Sequence, residues 1–199
     1  RKMQEKYRIP WVSLSFYGKR DTSAGLLAIA EALGDQELIE RTQALVAREE
    51  AALEQKLAPY RALFAGKKAV LNTGGNKTWS IAAALQDLGI EVVATAVRKA
   101  TEDDRAKARE YLGEDGVLMM NPGAEQARLI DEKGAHILLA GGRSLYTAIK
   151  KGIAFIDVNQ EKKISYGAYA GLLNLAEDLK HALESPVFEL VGRRAPWNR

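Results

Sequence analysis

The chain has 199 residues, a formal net charge of +3, 47% hydrophobic residues and no cysteine, which bounds it to one large globular domain or a compact domain with an appendage. Zero cysteines exclude disulfides, thiol catalysis and thiolate ligation by this chain, and two histidines, His136 and His181, leave no set for a self-contained zinc site. Lysine and arginine alternate with aspartate and glutamate as on solvated helix faces, so no nucleic-acid partner is expected. The start, Arg1 to Lys6, is charged and leads into no long apolar core, and no later apolar run approaches the length of about 20 residues that a bilayer needs. The expected setting is therefore the cytoplasm, away from membranes.

In chain order, Arg1 to Tyr7 reads as the tail of a helix. Ile9 to Tyr17 alternates apolar and polar residues as a strand does, with Pro10 suited to a strand start. Gly18-Lys19-Arg20 is a turn, and Asp21 or Thr22 is placed to cap a helix carrying Leu26, Leu27, Ile29, Ala30 and Leu33. Gly34-Asp35 stops that helix and caps the next, which runs from about Gln36 to Phe64 with a helical apolar period and a kink point at Pro59. One strand and two helices cannot bury a sheet. Residues 1–65 are therefore expected to be the end of an upstream Rossmann-like domain plus a connecting helix.

From Gly66 apolar runs at Ala69–Leu71, Val92–Ala96, Val117–Met119, Ile137–Ala140 and Ala154–Val158 alternate with helices beginning near Lys77, Thr101, Gly123, Ser144 and Gly167. This spacing predicts βαβ crossovers, and the near-continuous apolar runs predict strands covered on both faces. The fold class is α/β, with a Rossmann-like, doubly wound parallel sheet over residues 66–184. Residues 185–199 have no clear period and read as a docking tail.

Ligands of such sheets bind beyond the carboxyl ends of the strands. Two loops there share one pattern: Thr73-Gly74-Gly75-Asn76-Lys77 and Ala140-Gly141-Gly142-Arg143, each a strand end, two glycines and a cation. The first fits neither GxGxxG nor GxxxxGK[ST], and taken alone it reads as an ordinary βα turn. The repetition leaves two readings open: an anion-attracting rim built from backbone and cations, or two solvated loop cations. A third polar loop, starting at Asp157, carries Asn159. Trp11, Phe16, Tyr17, Trp79, Tyr146, Tyr166 and Tyr169 gather near the same ends, most of them as core packing, and neither histidine lies there to form a Ser–His–Asp set. No catalytic residue and no metal ligand is assigned.

The segments 66–80, 84–95, Leu138 to Ala148, Phe155 to Glu161 and Glu184 to Phe188, together with Ile9-Pro10-Trp11, Ser15-Phe16-Tyr17-Gly18 and Asp21-Thr22-Ser23, resemble the nitrogenase component 1 family in collinear order across essentially the whole chain. Within it the alpha-type E branch of the iron–molybdenum (or iron–vanadium) cofactor scaffold is the better match. The resemblance implies three Rossmann-like domains around a complex iron–sulfur cluster, of which this chain supplies the end of the second and all of the third. It places Gly74, Gly75 and Lys77 at the border of the cofactor, and Arg143, with Gly141 and Gly142 before it, beside homocitrate. It places Asn159 where catalytic subunits carry a molybdenum-ligating histidine. Partners implied are a beta-type N subunit in a heterotetramer and the nitrogenase iron protein. The anchoring cysteine belongs upstream, in agreement with the absence of cysteine here. Ala154, Ala168 and Ala170 depart from the usual family pattern. The function so implied is a scaffold on which a cofactor precursor matures. Its alternatives are an alpha-type subunit of a nitrogenase-like reductase and a stand-alone Rossmann module for phosphate or nucleotide. The incomplete phosphate loop counts against the last.

Overall fold

The computed structural model describes residues 2–9, 11–73, 77–98, 100–113, 115–159 and 164–192. Five strands, β1 (Lys68–Asn72), β2 (Glu91–Ala96), β3 (Val117–Met119), β4 (Ile137–Ala140) and β5 (Ala154–Asp157), form one parallel sheet in the order β3-β2-β1-β4-β5. All five coincide with the apolar runs to within a residue or so at each end. The reason is burial on both faces: every side chain of β4 is 0% exposed, so no polar residue is tolerated along it.

The order fixes where the helices lie. From β1 the chain steps outward to β2 and β3 through α4 (Lys77–Asp87) and α5 (Glu102–Glu110). It then crosses back past β1 through α6 (Pro122–Lys133) to β4, and through α7 (Leu145–Lys151) to β5. Because crossovers are right-handed, reversing direction moves the helices to the other face. Two cores result. One holds Leu71, Ile81, Leu85, Leu139 and Leu172 under α4 and α8 (Ala168–Glu184); the other holds Val70, Met119, Leu129, Ile130 and Leu138 under α6.

The first 65 residues give α1 (Lys2–Tyr7), α2 (Lys19–Leu33) and α3 (Gln36–Phe64), the last running through Pro59 as one helix. Asp35 caps α3 by accepting from the Leu38 amide at 3.2 Å, as its position after Gly34 suggested. The C-terminal half of α3 lies on α8, and Leu53, Leu57 and Phe64 enter the first core. The Ser23 hydroxyl, 2.5 Å from Glu50 and 2.8 Å from the Tyr169 hydroxyl, joins α2, α3 and α8.

Two local expectations change. The alternating stretch 9–17 is not a strand: among its described residues only Tyr17 pairs, through an isolated antiparallel bridge to Gly167. Alternation supplies the side-chain pattern, but a strand exists only where a neighbouring backbone completes the ladder. The cap of α2 is neither Asp21 nor Thr22. The helix begins at Lys19, whose amide donates to Asp87 Oδ2 of α4 at 2.6 Å, with the Arg20 amide at 3.1 Å. The cap is thus tertiary, and the Thr22 hydroxyl donates back to the Gly18 carbonyl at 2.6 Å. Of the expected tail, residues 186–192 are helical (α9, Pro186–Gly192) and lie against α7, with Phe188 packed on the first core.

Candidate functional site: a basic cavity at the strand ends

The direction of the chain reverses between β1 and β4, and there the sheet opens. Registers place Asn72 beside Ala140 and Ala140 beside Asp157, so β1, β4 and β5 end level. Beyond that row lies a cavity of about 780 Å³. Asn72 and Thr73 line it from the end of β1, Ala96 from the end of β2, Arg98 from the loop after it, Pro122 from the start of α6, and Asn159 from the loop after β5. The segment after β4 contributes Gly141 to Ser144 and Tyr146. Among the described lining residues Arg98 and Arg143 are the charged ones; both are cations and no carboxylate faces them.

Arg143 sits in a single 3-10 turn, Gly142–Ser144, closed by the Ser144 amide donating to the Gly141 carbonyl at 2.8 Å. Gly141 packs closely here: a Cβ on it would lie 3.0 Å from Asn159 Nδ2, so the side-chain amide would have to give way by a few tenths of an ångström. The backbone N–H of Asn159 donates to Asp157 Oδ1 at 3.0 Å, which shapes the loop after β5. Behind the turn, Gln126 of α6 is buried and accepts at Oε1 from Asn72 Nδ2 (2.7 Å) and from Ser144 Oγ (3.4 Å).

The junction of β1 and α4 is tied to the end of β2. The buried Thr78 hydroxyl donates to the Ala96 carbonyl at 3.1 Å and lies 3.3 Å from the Thr73 hydroxyl. Trp79, also buried, donates from Nε1 to Asp104 Oδ1 at 3.0 Å, and Lys107 Nζ stands 5.0 Å from the centre of its indole. Asp104 closes a capping box with Thr101 at the start of α5. Burial pushes its carboxyl up, but hydrogen bonds from Thr101 and Trp79 outweigh this and hold it below the ordinary value.

Of the residues the sequence singled out, Gly141, Gly142, Arg143 and Asn159 are brought together around this cavity. Lys77 is exposed and opens α4 at the same end of the sheet. Gly74 and Gly75 lie outside the described residues. Arg98, Asn72 and Gln126 were not anticipated. Arg98 stands in a charged run that reads as solvated, while Gln126 left a faint signal: it precedes Leu129 and Ile130 by three and four residues, on their buried stripe. Tyr146, expected among packing aromatics, is instead 73% exposed at the rim. His136 lies at the far end of the sheet, accepting from the Lys68 amide at 3.1 Å, and His181 is exposed on α8 beside Glu177. Burial, with Lys67 and Lys68 nearby, holds the His136 imidazole below its ordinary pKa.

No group of three or more His, Cys, Asp or Glu among the described residues is placed to hold a metal ion. The cavity therefore offers cations, amides, the hydroxyls of Thr73, Ser144 and Tyr146, and close backbone approach. That is a donor set for an anion rather than a ligand set for a bare metal. No helix among the described residues is long and apolar enough to cross a membrane.

Sheet order, crossover pattern and the basic cavity at the reversal point define a Rossmann-like α/β domain with an anion-facing mouth. The chain belongs to the nitrogenase component 1 type oxidoreductase family, whose model matches residues 1–184. It is 48% identical over 199 residues to the nitrogenase iron-molybdenum cofactor biosynthesis protein NifE of Nostoc sp., and 43% identical over 198 residues to the protein of that name from Klebsiella pneumoniae. These alignments take in 100% and 99% of this chain but 42% and 43% of the relatives, so the chain spans about two fifths of their length. A solved structure, "Nitrogenase Cp1 at pH 5", superposes with a TM-score of 0.83 over 98% of this chain and 46% of its own. At 19% identity that likeness speaks to the fold alone.

Proposed function

We propose that the chain forms one wall of the cavity in which the iron–sulfur precursor of a nitrogenase cofactor is held while it matures, as part of a cytoplasmic alpha-type scaffold subunit. The observation that carries the reading is the composition of the cavity: among its described lining residues Arg98 and Arg143 are the charges, with no acid, thiol or imidazole. Such a wall attracts an anionic cluster by charge and hydrogen bonding without anchoring it, which suits cargo that must leave. The names of the relatives, cofactor biosynthesis proteins, support the same role.

In this reading the cluster is cargo, not a resident cofactor. Arg143 and Lys77 are electrostatic contacts to it or to homocitrate, and Arg98 is a third. Gly74, Gly75, Gly141 and Gly142 allow close backbone approach. Asn159 is a wall residue whose amide is a poor metal ligand. Residues 1–65 are the end of a preceding domain and its connecting helix, 66–184 the cargo-facing domain, and 185–199 a docking tail. The working assembly pairs this subunit with a beta-type N subunit in a heterotetramer and exchanges with the nitrogenase iron protein.

The test is to purify the full-length protein with its partner anaerobically, then assay cofactor maturation and substrate reduction side by side. The scaffold reading expects maturation to depend on the protein, and Lys77→Ala to lower the iron retained. Reduction at enzyme-like rates without any role in maturation would establish the nitrogenase-like reductase instead.

A further inference from the structure

Gln126, Leu129 and Ile130 are the buried side chains that α6 turns to the sheet. At positions i, i+3 and i+4 they form one stripe, and an apolar residue would fill the first place without further requirement. A buried amide is costly unless its hydrogen bonds are made. Gln126 is 5% exposed, and its side-chain oxygen is satisfied by Asn72 Nδ2 at 2.7 Å with Ser144 Oγ at a longer 3.4 Å. The two donors belong to different elements: Asn72 ends β1, while Ser144 closes the turn that carries Arg143.

We propose that Gln126 is a positioning residue that holds the Gly142–Ser144 turn, and with it Arg143, against the carboxyl end of β1. Its functional consequence rests on the reading of the cavity as an anion site; its structural consequence does not. Gln126 is not among the described residues that line the cavity, so it acts from behind the wall. On the other flank, Gly141 packs against Asn159, where a Cβ would come within 3.0 Å of Nδ2. The turn that carries Arg143 thus lies between Gln126 and Asn159. Removing the shared acceptor releases both donors at once: Asn72 loses its partner and the turn loses its tie to β1.

The test compares Gln126→Leu, which fills the space without an acceptor, with Gln126→Glu, which keeps acceptor oxygens, both in the full-length protein with its partner subunit. Amide hydrogen exchange is measured first, without any added ligand. Gln126→Leu is expected to speed exchange across residues 141–145 about tenfold, equivalent to about 1.4 kcal/mol, while Ile137–Ala140 stay unchanged and Gln126→Glu restores protection. Unchanged exchange in the turn overturns the proposal, and so does an equal rise through β4, which would mean a general loss of stability. Citrate is then titrated as a probe anion in a cycle with Arg143→Ala. Gln126→Leu is expected to weaken citrate about tenfold, and to have no effect once Arg143 is gone. An equal weakening in both backgrounds means Gln126 does not act through Arg143 and overturns the proposal. Citrate binding that is absent, or indifferent to Arg143, refutes the cavity reading instead, and the exchange result still decides the structural role.

Discussion

Gly18 and Gly34 both have positive φ, 77° and 71°, yet substitution should separate them sharply. Gly34 is an ordinary left-handed helix cap, and a Cβ added to it would meet nothing within 4 Å. Gly34→Ala therefore meets only the left-handed penalty, about 1 kcal/mol. Gly18, with ψ 172°, occupies a region that is essentially reserved for glycine, at about 1–3 kcal/mol for any other residue. A Cβ there would also lie 2.5 Å from Asp87 Oδ2 and 3.1 Å from the Ala84 Cα, and the latter is helix backbone that cannot rotate away. Relief requires α2 to back off α4, which breaks the Asp87 cap on the Lys19 and Arg20 amides, a further loss of about 1–2 kcal/mol. Gly18→Ala should thus cost about 2–5 kcal/mol in total, against about 1 kcal/mol for Gly34→Ala. For a chain of this size that difference is on the order of 10 °C in Tm. Denaturant titration followed by circular dichroism reads both variants. Equal costs for the two would refute the argument, because they share a positive φ and differ in ψ, in the clash and in the cap.

Burial raises the Asp87 carboxyl above its ordinary pKa, despite the backbone hydrogen bonds from Arg20 and Lys19. The folded state therefore holds this proton more tightly than the unfolded state. Its contribution to stability is largest below the unfolded value and falls as pH rises through the folded one. Asp87→Asn should flatten that fall in the range above the ordinary Asp value, seen as Tm against pH; a wild-type contribution that grows with pH there would contradict it. Ala168 has φ 59°, in the left-handed region, so Ala168→Gly should raise stability by about 0.5–1 kcal/mol; a clear loss on denaturation would show that the strain is absent. His136 should titrate below the ordinary histidine value by NMR. A depressed imidazole adds stability that is present above the unfolded pKa and lost as pH falls through the folded one, so an elevated His136 pKa would reverse the predicted trend.

Much of the fold was legible because its signals are local. Strands buried on both faces must be continuously apolar, and Ile137 to Ala140 could be nothing else in a chain that alternates with helices. Asp35 after Gly34 announced its cap in sequence, and the helix start read near Thr101 proved to be the capping box with Asp104. What the sequence withheld was tertiary. The α2 cap is a carboxylate 67 residues away from the Arg20 amide it accepts from, so no local pattern could name it. The stretch 9–17 carried the right alternation but met no partner strand. The two glycine–cation loops drew attention to the end of the sheet where the cavity opens, since strand ends are local and the reversal of strand order brings them together. Arg98 and Gln126 escaped for the opposite reason: one looked like surface charge and the other like part of a polar helix start. Only the packing of α6 on β1 reveals that the latter faces inward.

The most direct measurement is the iron retained by the anaerobically purified full-length assembly when Arg98 and Arg143 are both replaced by glutamine. If these cations hold an anionic cargo, each loss should weaken retention by about tenfold, roughly 1.4 kcal/mol as for a charge-assisted contact. Arg143→Lys, which keeps the charge, should retain more than Arg143→Gln. Iron content equal to wild type in the double variant, with helix content unchanged, would contradict the account.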